Sequence, residues 1–260
     1  LGIAALFNTQ DWLYRLTEKA CSRCSDENAV RFLARVVRTH STELRHCLLS
    51  PEARLARSGL LQILGGRLDL PDKLGMNPGL VEALFTPNES PLDSLVSRCV
   101  ERGIAKLRAE DFGHLKSEFD LVEQLVRKAA RDRTPGINVL IYGPPGTGKT
   151  QFVRALAVKA NLDLWEVGHR GSEGGNSSGR ERLMHLCLSQ ALLAERPQAV
   201  ILFDEFEDAL VPEERTSPFN FPHKISKAFL NNTVETNRVP TFWITNEPRW
   251  LEAATQRRFT

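Results

Sequence analysis

Apolar residues recur at helical spacing between residues 10 and 50: Trp12, Leu13 and Leu16, then Val30, Phe32, Leu33, Val36 and Val37. That repeat predicts amphipathic helices. Pro51 interrupts it, and the stretch LQILGGRLDLPDKLGMNPGL from Leu61 is punctuated by Gly and Pro, which favour turns. A further helix is expected from Leu92 to about Leu107. Residues 1–108 therefore read as a helical accessory region, and no motif in them spells a chemistry.

The texture changes at Asp111. DFGHLKSEFDLVEQLVRKAARD predicts a loop and then an amphipathic helix with Leu121, Leu125 and Val126 on one face. Four short apolar runs follow: INVLIYG (137–143), LDLWEV (162–167), AVILFD (199–204) and VPTFWITN (239–246). Helical patterns at 149–160, 180–194 and 222–236 separate them. Strands alternating with helices at this pitch imply a parallel sheet covered on both faces, an α/β fold with three α/β/α layers over 109–260.

Composition changes this picture little. The hydrophobic share of 42% and charged share of 25% are those of an ordinary globular chain. A net charge of +2 supplies no global field toward nucleic acid or acidic lipid. No apolar run approaches the roughly 18 residues of a transmembrane helix, so no membrane role is expected. The start, LGIAALFNTQDW, has neither a basic segment nor a cleavage site of a secretory signal, and it lacks an initiator Met. The chain reads as a piece of something longer. Five cysteines, an odd number, suit reduced thiols in the cytoplasm better than a disulfide framework. Cys21 and Cys24 with His46 and Cys47 could offer zinc ligands. Their spacing argues against it, because the first two fall in an expected helix and the last two are adjacent.

The chemistry begins at GPPGTGKT (143–150), between a strand and a helix, which fits G-x-x-x-x-G-K-[ST]. Gly143, Gly146 and Gly148 let the backbone of Pro145, Gly146, Thr147, Gly148, Lys149, Thr150 and Gln151 curl around phosphate oxygens. The helix dipole adds to that field. Lys149 is expected to reach the β- and γ-phosphates of ATP, and the Thr150 hydroxyl to ligate Mg²⁺. The bland alternative is a Gly-rich turn, which the Lys-Thr pair disfavours. Four apolar residues then run straight into Asp204-Glu205, two carboxylates at the carboxyl edge of the sheet. Asp204 is expected to hold Mg²⁺ through water, and Glu205 to deprotonate the attacking water. Glu207 and Asp208 read as surface or helix-start acids.

Phosphate loop, D-E box, strand ending in Asn and paired arginines, in that order, resemble the AAA+ ATPases, and among them the AAA subfamily. The resemblance covers about 111–260. It implies that Asn246 is sensor 1, between γ-phosphate and water. It implies that Arg257 and Arg258, in LEAATQRRF, are arginine fingers with no partner in their own chain. It also implies that Phe112 and Gly113, in DFGHL, line the adenine pocket. Three departures stand out. Leu251-Glu252 replaces Asp-Pro. GSEGGNSSGRERL lacks the aromatic of polypeptide-threading members. The last core strand, the lid and the sensor 2 arginine are missing.

The resemblance implies a homo-oligomer, a hexameric ring that binds ATP or ADP with Mg²⁺ and remodels a macromolecular partner, with an unidentified protein as that partner. A nucleotide-dependent assembly switch or scaffold is the first alternative. A DNA-handling protein is the second, although no basic aromatic stripe points to nucleic acid.

Overall fold

The computed structural model describes residues 10–50, 55, 58, 60–63, 68–76, 96–97, 99–169, 179–209, 227–251 and 253–259. The chain forms two compact units, Leu1–Leu95 and Val96–Thr260. The boundary falls earlier than the expected 108/109 because residues just after Val96 join the sheet of the second unit.

In the first unit α1 (Asp11–Ala20), α2 (Asp26–Val36) and α3 (Ser41–Leu49) are the expected helices. Ser25 starts α2, its hydroxyl accepting the Asn28 N–H at 3.3 Å. The buried face of α2 is Ala29, Val30, Leu33 and Ala34, whereas Val36 and Val37 are exposed, as are Trp12 and Leu16 on α1. The Gly/Pro-punctuated stretch contributes strands as well as turns: β1 (Leu61–Ile63) pairs antiparallel with β2 (Leu74–Met76), joined through the short α4 (Leu70–Lys73). Fully buried Lys73 is paired with Asp26. Cys21–Cys24 form a turn after α1, not part of a helix, and Cys24 bridges to Leu68. Burial first, then the hydrogen bond with Cys21, push the Cys24 thiol up to about 12, the opposite of what a metal-bound thiolate requires. Among the described residues no three His, Cys, Asp or Glu side chains cluster around a metal position.

The second unit opens with β3 (Val100–Arg102), inside the stretch expected to be a helix to Leu107. β3 runs antiparallel against β5 (Asp163–Val167), pairing Val100 with Val167 and Arg102 with Trp165. The remaining expected strands form: β4 (Asn138–Tyr142), β6 (Ala199–Phe203) and β7 (Thr241–Thr245). The sheet order is β3-β5-β6-β7-β4, and all but the β3 edge is parallel. The parallel sheet of expectation thus carries an antiparallel edge strand, a common addition to doubly covered sheets.

Successive strand residues point to opposite faces, and two cores result. Val139, Leu164, Val200, Leu202, Phe242 and Ile244 pack with α5 (Lys116–Asp132) and α6 (Lys149–Lys159). Trp165, Val167, Ile201, Phe203 and Trp243 pack on the other face with α7 (Gly179–Leu193) and α8 (Lys227–Thr236). The three layers are those expected. On α5 the buried face is Phe119, Glu123, Val126, Ala129 and Ala130. Leu121 lies outside it, 69% exposed, since two residues' rotation from Phe119 turns it to the far side. Residues 222–226 of the last expected helix lie outside the described residues.

A polar cluster locks the amino ends of the strands. Buried Asn138 donates to the Val234 carbonyl at 2.7 Å and accepts the Trp243 indole N–H at 2.9 Å. Buried Gln190 accepts the N–H groups of Arg238 (2.9 Å) and Val239 (2.7 Å). It also donates to the Val239 carbonyl (3.0 Å) and the Thr241 hydroxyl (2.7 Å). The carboxyl ends are left for chemistry.

Candidate nucleotide site

Tyr142 of β4 lies opposite Thr245 of β7, and Phe203 of β6 opposite Trp243. Three parallel strands therefore end side by side, and the segments that follow them meet at one edge of the sheet. Gly146 and Gly148 have φ of 77° and 84°, left-handed values that only glycine enters without strain. α6 begins directly after them at Lys149. The ammonium of Lys149 donates to the carbonyls of Gly143 (2.9 Å) and Pro144 (2.8 Å) and to Oδ1 of Asn246 (2.8 Å). The Thr150 hydroxyl donates to Oδ2 of Asp204 at 2.6 Å. Lys149 and Asn246, 97 positions apart, thus share one site.

The loop around them is open: Pro145, Gly146 and Thr147 are exposed, and the Thr147 hydroxyl donates to the Pro144 carbonyl at 2.9 Å. The Gln151 side chain accepts the Lys106 N–H at 2.9 Å, which ties the chain after β3 to α6. Phe112 is 6% exposed and packs with Phe119 and Phe152, ring centroids 6.1 and 5.4 Å away. It supports the phosphate loop from beneath, since a Cβ on Gly148 would stand 3.9 Å from its ring. Gly113 is exposed with open space around it.

Glu205 is exposed and has φ of 51°, a strained value for a side-chain-bearing residue. Its N–H donates to Asp204 Oδ1 at 2.8 Å, and its Oε2 stands 3.6 Å from His169 Nδ1. Glu207 stands in the first turn of a 3₁₀ helix (Phe206–Ala209), a helix-start acid as expected, but it also has a partner in the site. Half-buried, it accepts both the backbone N–H (3.0 Å) and the side-chain N–H (2.9 Å) of Asn246, fixing that amide with its oxygen toward Lys149. Burial opposes ionisation of Glu207, yet its hydrogen bonds outweigh burial and hold the carboxyl below its ordinary range. Asp208 is exposed on a 3₁₀ turn (Phe206–Ala209), as expected of a helix-start acid.

The two arginines differ. Arg258 donates to Glu235 Oε1 at 2.5 Å, so its partner is in its own chain, contrary to expectation. Proximity decides this, because the end of α8 carries Glu235 beside the arginine pair. Arg257 is exposed and makes no ion pair among the described residues. Glu252 and the Gly/Ser/Asn stretch 171–178 lie outside the described residues.

Sequence reasoning passed over Glu207 and Arg182. Arg182, on the first turns of α7, is 1% exposed and donates to the Asp204 carbonyl. No sequence signal singled it out, because it stands beside Arg180 and Glu181 in a helix start that reads as an ordinary charged segment.

Glycine-lined backbone at a helix start, with a lysine ammonium beside it, is an anion site suited to phosphates. The paired oxygens of Thr150 and Asp204 suit a hard divalent cation such as Mg²⁺. The fold and site together define a phosphate-loop nucleotide-binding domain. Residues 139–260 match the model of the ATPase family associated with various cellular activities (AAA). The chain is 28% identical over 133 residues to spastin of Bos taurus, covering 49% of this chain and 21% of spastin. It is 31% identical over 132 residues to fidgetin-like protein 1 of Caenorhabditis briggsae, covering 49% of this chain and 22% of that protein. The chain thus spans about a fifth of the length of these curated relatives. Among solved structures, the FIGL-1 AAA domain in complex with ADP aligns at a TM-score of 0.44 and 22% identity, over 67% of this chain and 61% of that one. Among the described residues no helix is long and apolar enough to cross a membrane.

Proposed function

We propose that this chain binds ATP with Mg²⁺ and hydrolyses its β–γ phosphoanhydride, acting within a homo-oligomeric ring that remodels a macromolecular partner. The observation that carries the reading is the Asn246–Lys149 contact beside the Thr150–Asp204 contact, which gathers the parts of a phosphoryl-transfer site around one open loop. Lys149 and the loop N–H groups hold the phosphates. Thr150 and Asp204 would hold Mg²⁺, which supplies charge neutralisation to the phosphoryl oxygens. Glu205 accepts the proton of the attacking water, and Asn246, held by Glu207, orients that water. Arg257 serves the neighbouring subunit's γ-phosphate; a guanidinium is always charged and carries several donors.

Steady-state ATPase and calorimetric titration of ATP test this on two variants. Lys149→Ala abolishes binding, because the charge facing the phosphates is gone. Glu205→Gln keeps binding but slows turnover by about 100-fold or more, the scale of a lost general base. Unchanged ATP affinity in the first, or unchanged turnover in the second, overturns the corresponding role.

Two observations favour a second reading, the nucleotide-dependent switch. The Glu205 carboxylate lies toward His169, and Arg258 is tied to Glu235. A switch predicts that ATP changes the assembly state equally in the chain and in Glu205→Gln, whereas a remodelling enzyme loses its work in that variant.

A further inference from the structure

The acidic turn after β6 is held from behind by one buried cation. Arg182 reaches from α7 so that Nη2 donates to the Asp204 carbonyl and Nη1 lies 3.4 Å from the Glu205 carbonyl. Its guanidinium carbon stands 4.7 Å over the Phe203 ring, and Nη1 is 3.7 Å from Asp208 Oδ2. The left-handed φ of 51° at Glu205 presents two successive carbonyl oxygens to this one side chain. Four acids of the turn, Asp204, Glu205, Glu207 and Asp208, favour its charged form, while burial, the largest influence, acts against it. α7 has a second anchor on the same turn. A Cβ at Gly179 would stand 2.2 Å from the Asp208 carbonyl oxygen, so the helix start is seated directly on that backbone.

From this geometry we infer that Arg182 is a positioning residue for the hydrolytic step, clamping the Asp204–Glu205 backbone so that the Glu205 carboxylate is presented to the attacking water. The inference rests on the proposed role of Glu205. An isolated guanidinium is costly to bury, and a left-handed glutamate is strained. The two together are understandable as one device: the cation supplies a donor to the Asp204 carbonyl and a second one to the Glu205 carbonyl, which within the turn already accepts the Asp208 N–H at 3.1 Å, and the carbonyls hold the cation. Arg182 touches neither the phosphate loop nor Lys149 among the described residues, so its loss falls on the Asp204–Glu205 turn and not on the phosphate cradle.

The test is performed on the full chain with Arg182→Met, which keeps an unbranched apolar stem without donors, and Arg182→Lys, which keeps a charge but cannot fork to two carbonyls. Arg182→Met lowers kcat by about 10- to 100-fold, the scale expected when a reacting group is misplaced by about 1 Å. The dissociation constant of ATP measured without Mg²⁺, where the Asp204 cation site does not enter, stays within about threefold, since the Lys149 and phosphate-loop contacts are untouched. Arg182→Lys falls between, as partial rescue. Single-turnover hydrolysis in the Glu205→Gln background shows no further loss on adding Arg182→Met, because a group acting through Glu205 has nothing left to position. Should Arg182→Met fail to fold, Arg182→Lys carries the same readouts. Unchanged kcat in a folded variant, parallel losses of kcat and ATP affinity, or multiplied losses in the double variant overturn the inference. If Glu205→Gln itself hydrolyses ATP at the unaltered rate, the reading of Glu205 has failed instead, and the two failures are distinguished.

Discussion

His185 lies three positions after Arg182 on α7, 4% exposed, with its Nδ1 unpartnered among the described residues. Burial first, then the charge of Arg182, push its pKa down from 6.5 to about 4. The folded chain keeps the ring neutral at pH values where the unfolded chain protonates it. The unfolded state therefore binds more protons between pH 6.5 and about 4. The stability this ring permits is complete above that window and is lost as pH falls through it. The gap corresponds to about 3 kcal/mol in full, and to about 2 kcal/mol near pH 5. Either figure is a large part of a net stability of roughly 5–15 kcal/mol. His185→Leu removes the titrating group at similar volume and discards an unsatisfied buried nitrogen, so at pH 7 it shifts stability by less than about 1.5 kcal/mol. Urea unfolding followed by circular dichroism, at pH 7 and pH 5, gives the comparison. The unaltered chain loses about 2 kcal/mol more than His185→Leu between the two values. Equal losses refute the reasoning and move the acid sensitivity elsewhere. Glu207 acts in a separate, lower window. Its folded pKa is depressed, so its contribution is present above the ordinary value of 4.5 and disappears as pH falls below it.

Three further outcomes follow from particular contacts. Asn138→Ala strands the Trp243 indole N–H and the Val234 carbonyl in the core, and urea unfolding registers a loss of about 2–4 kcal/mol; a loss below about 1 kcal/mol contradicts the network's role. Gly179→Ala drives a Cβ to 2.2 Å from the Asp208 oxygen and 2.6 Å from the Ala209 Cα, backbone atoms that cannot rotate away. Thermal unfolding detects at least about 1–3 kcal/mol, and an unshifted midpoint shows that α7 is not seated there. Arg257→Ala, but not Arg258→Ala, abolishes turnover while leaving ATP binding intact, and mixing it with Lys149→Ala subunits restores part of the activity. Full activity of Arg257→Ala alone sinks the finger role.

The four parallel strands were legible because a strand covered on both faces is apolar at every position, and VLI, LW, VILF and FWI are such runs. The phosphate loop was legible because Gly146 and Gly148 need left-handed backbone that other residues resist. β3 was hidden: VER is three residues long, and its pairing partner lies some 65 positions away, beyond any local period. The facing of α1 and α5 was hidden for another reason. Trp12, Leu16 and Leu121 are apolar residues on exposed faces, so counting apolar positions does not identify the buried stripe. Glu207 and Arg182 escaped because their roles exist only through contacts across 39 and 22 positions. No spacing rule connects a helix arginine to the carbonyls of a distant turn.

The two ends of the sheet handle buried polar groups in opposite ways. At the amino end, both polar atoms of the Gln190 amide are engaged, with two bonds accepted and two donated, and Asn138 is similarly occupied. Such a network rigidifies a core because every member loses something if any member moves. At the carboxyl end, Arg182 Nε and His185 Nδ1 lack partners among the described residues, and Glu205 sits at a strained φ. Those costs fall within α7 and the acidic turn it grips, the part of the sheet edge assigned to water activation. Local rules that hold at one end and fail at the other distinguish a scaffold from a working edge. An acidic turn free to relax would be more stable and would scatter the Glu205 carboxylate over many positions. The satisfied amino end supplies the rigidity against which the strained end is held, and α7 carries both, with Gln190 at one end and Arg182 at the other.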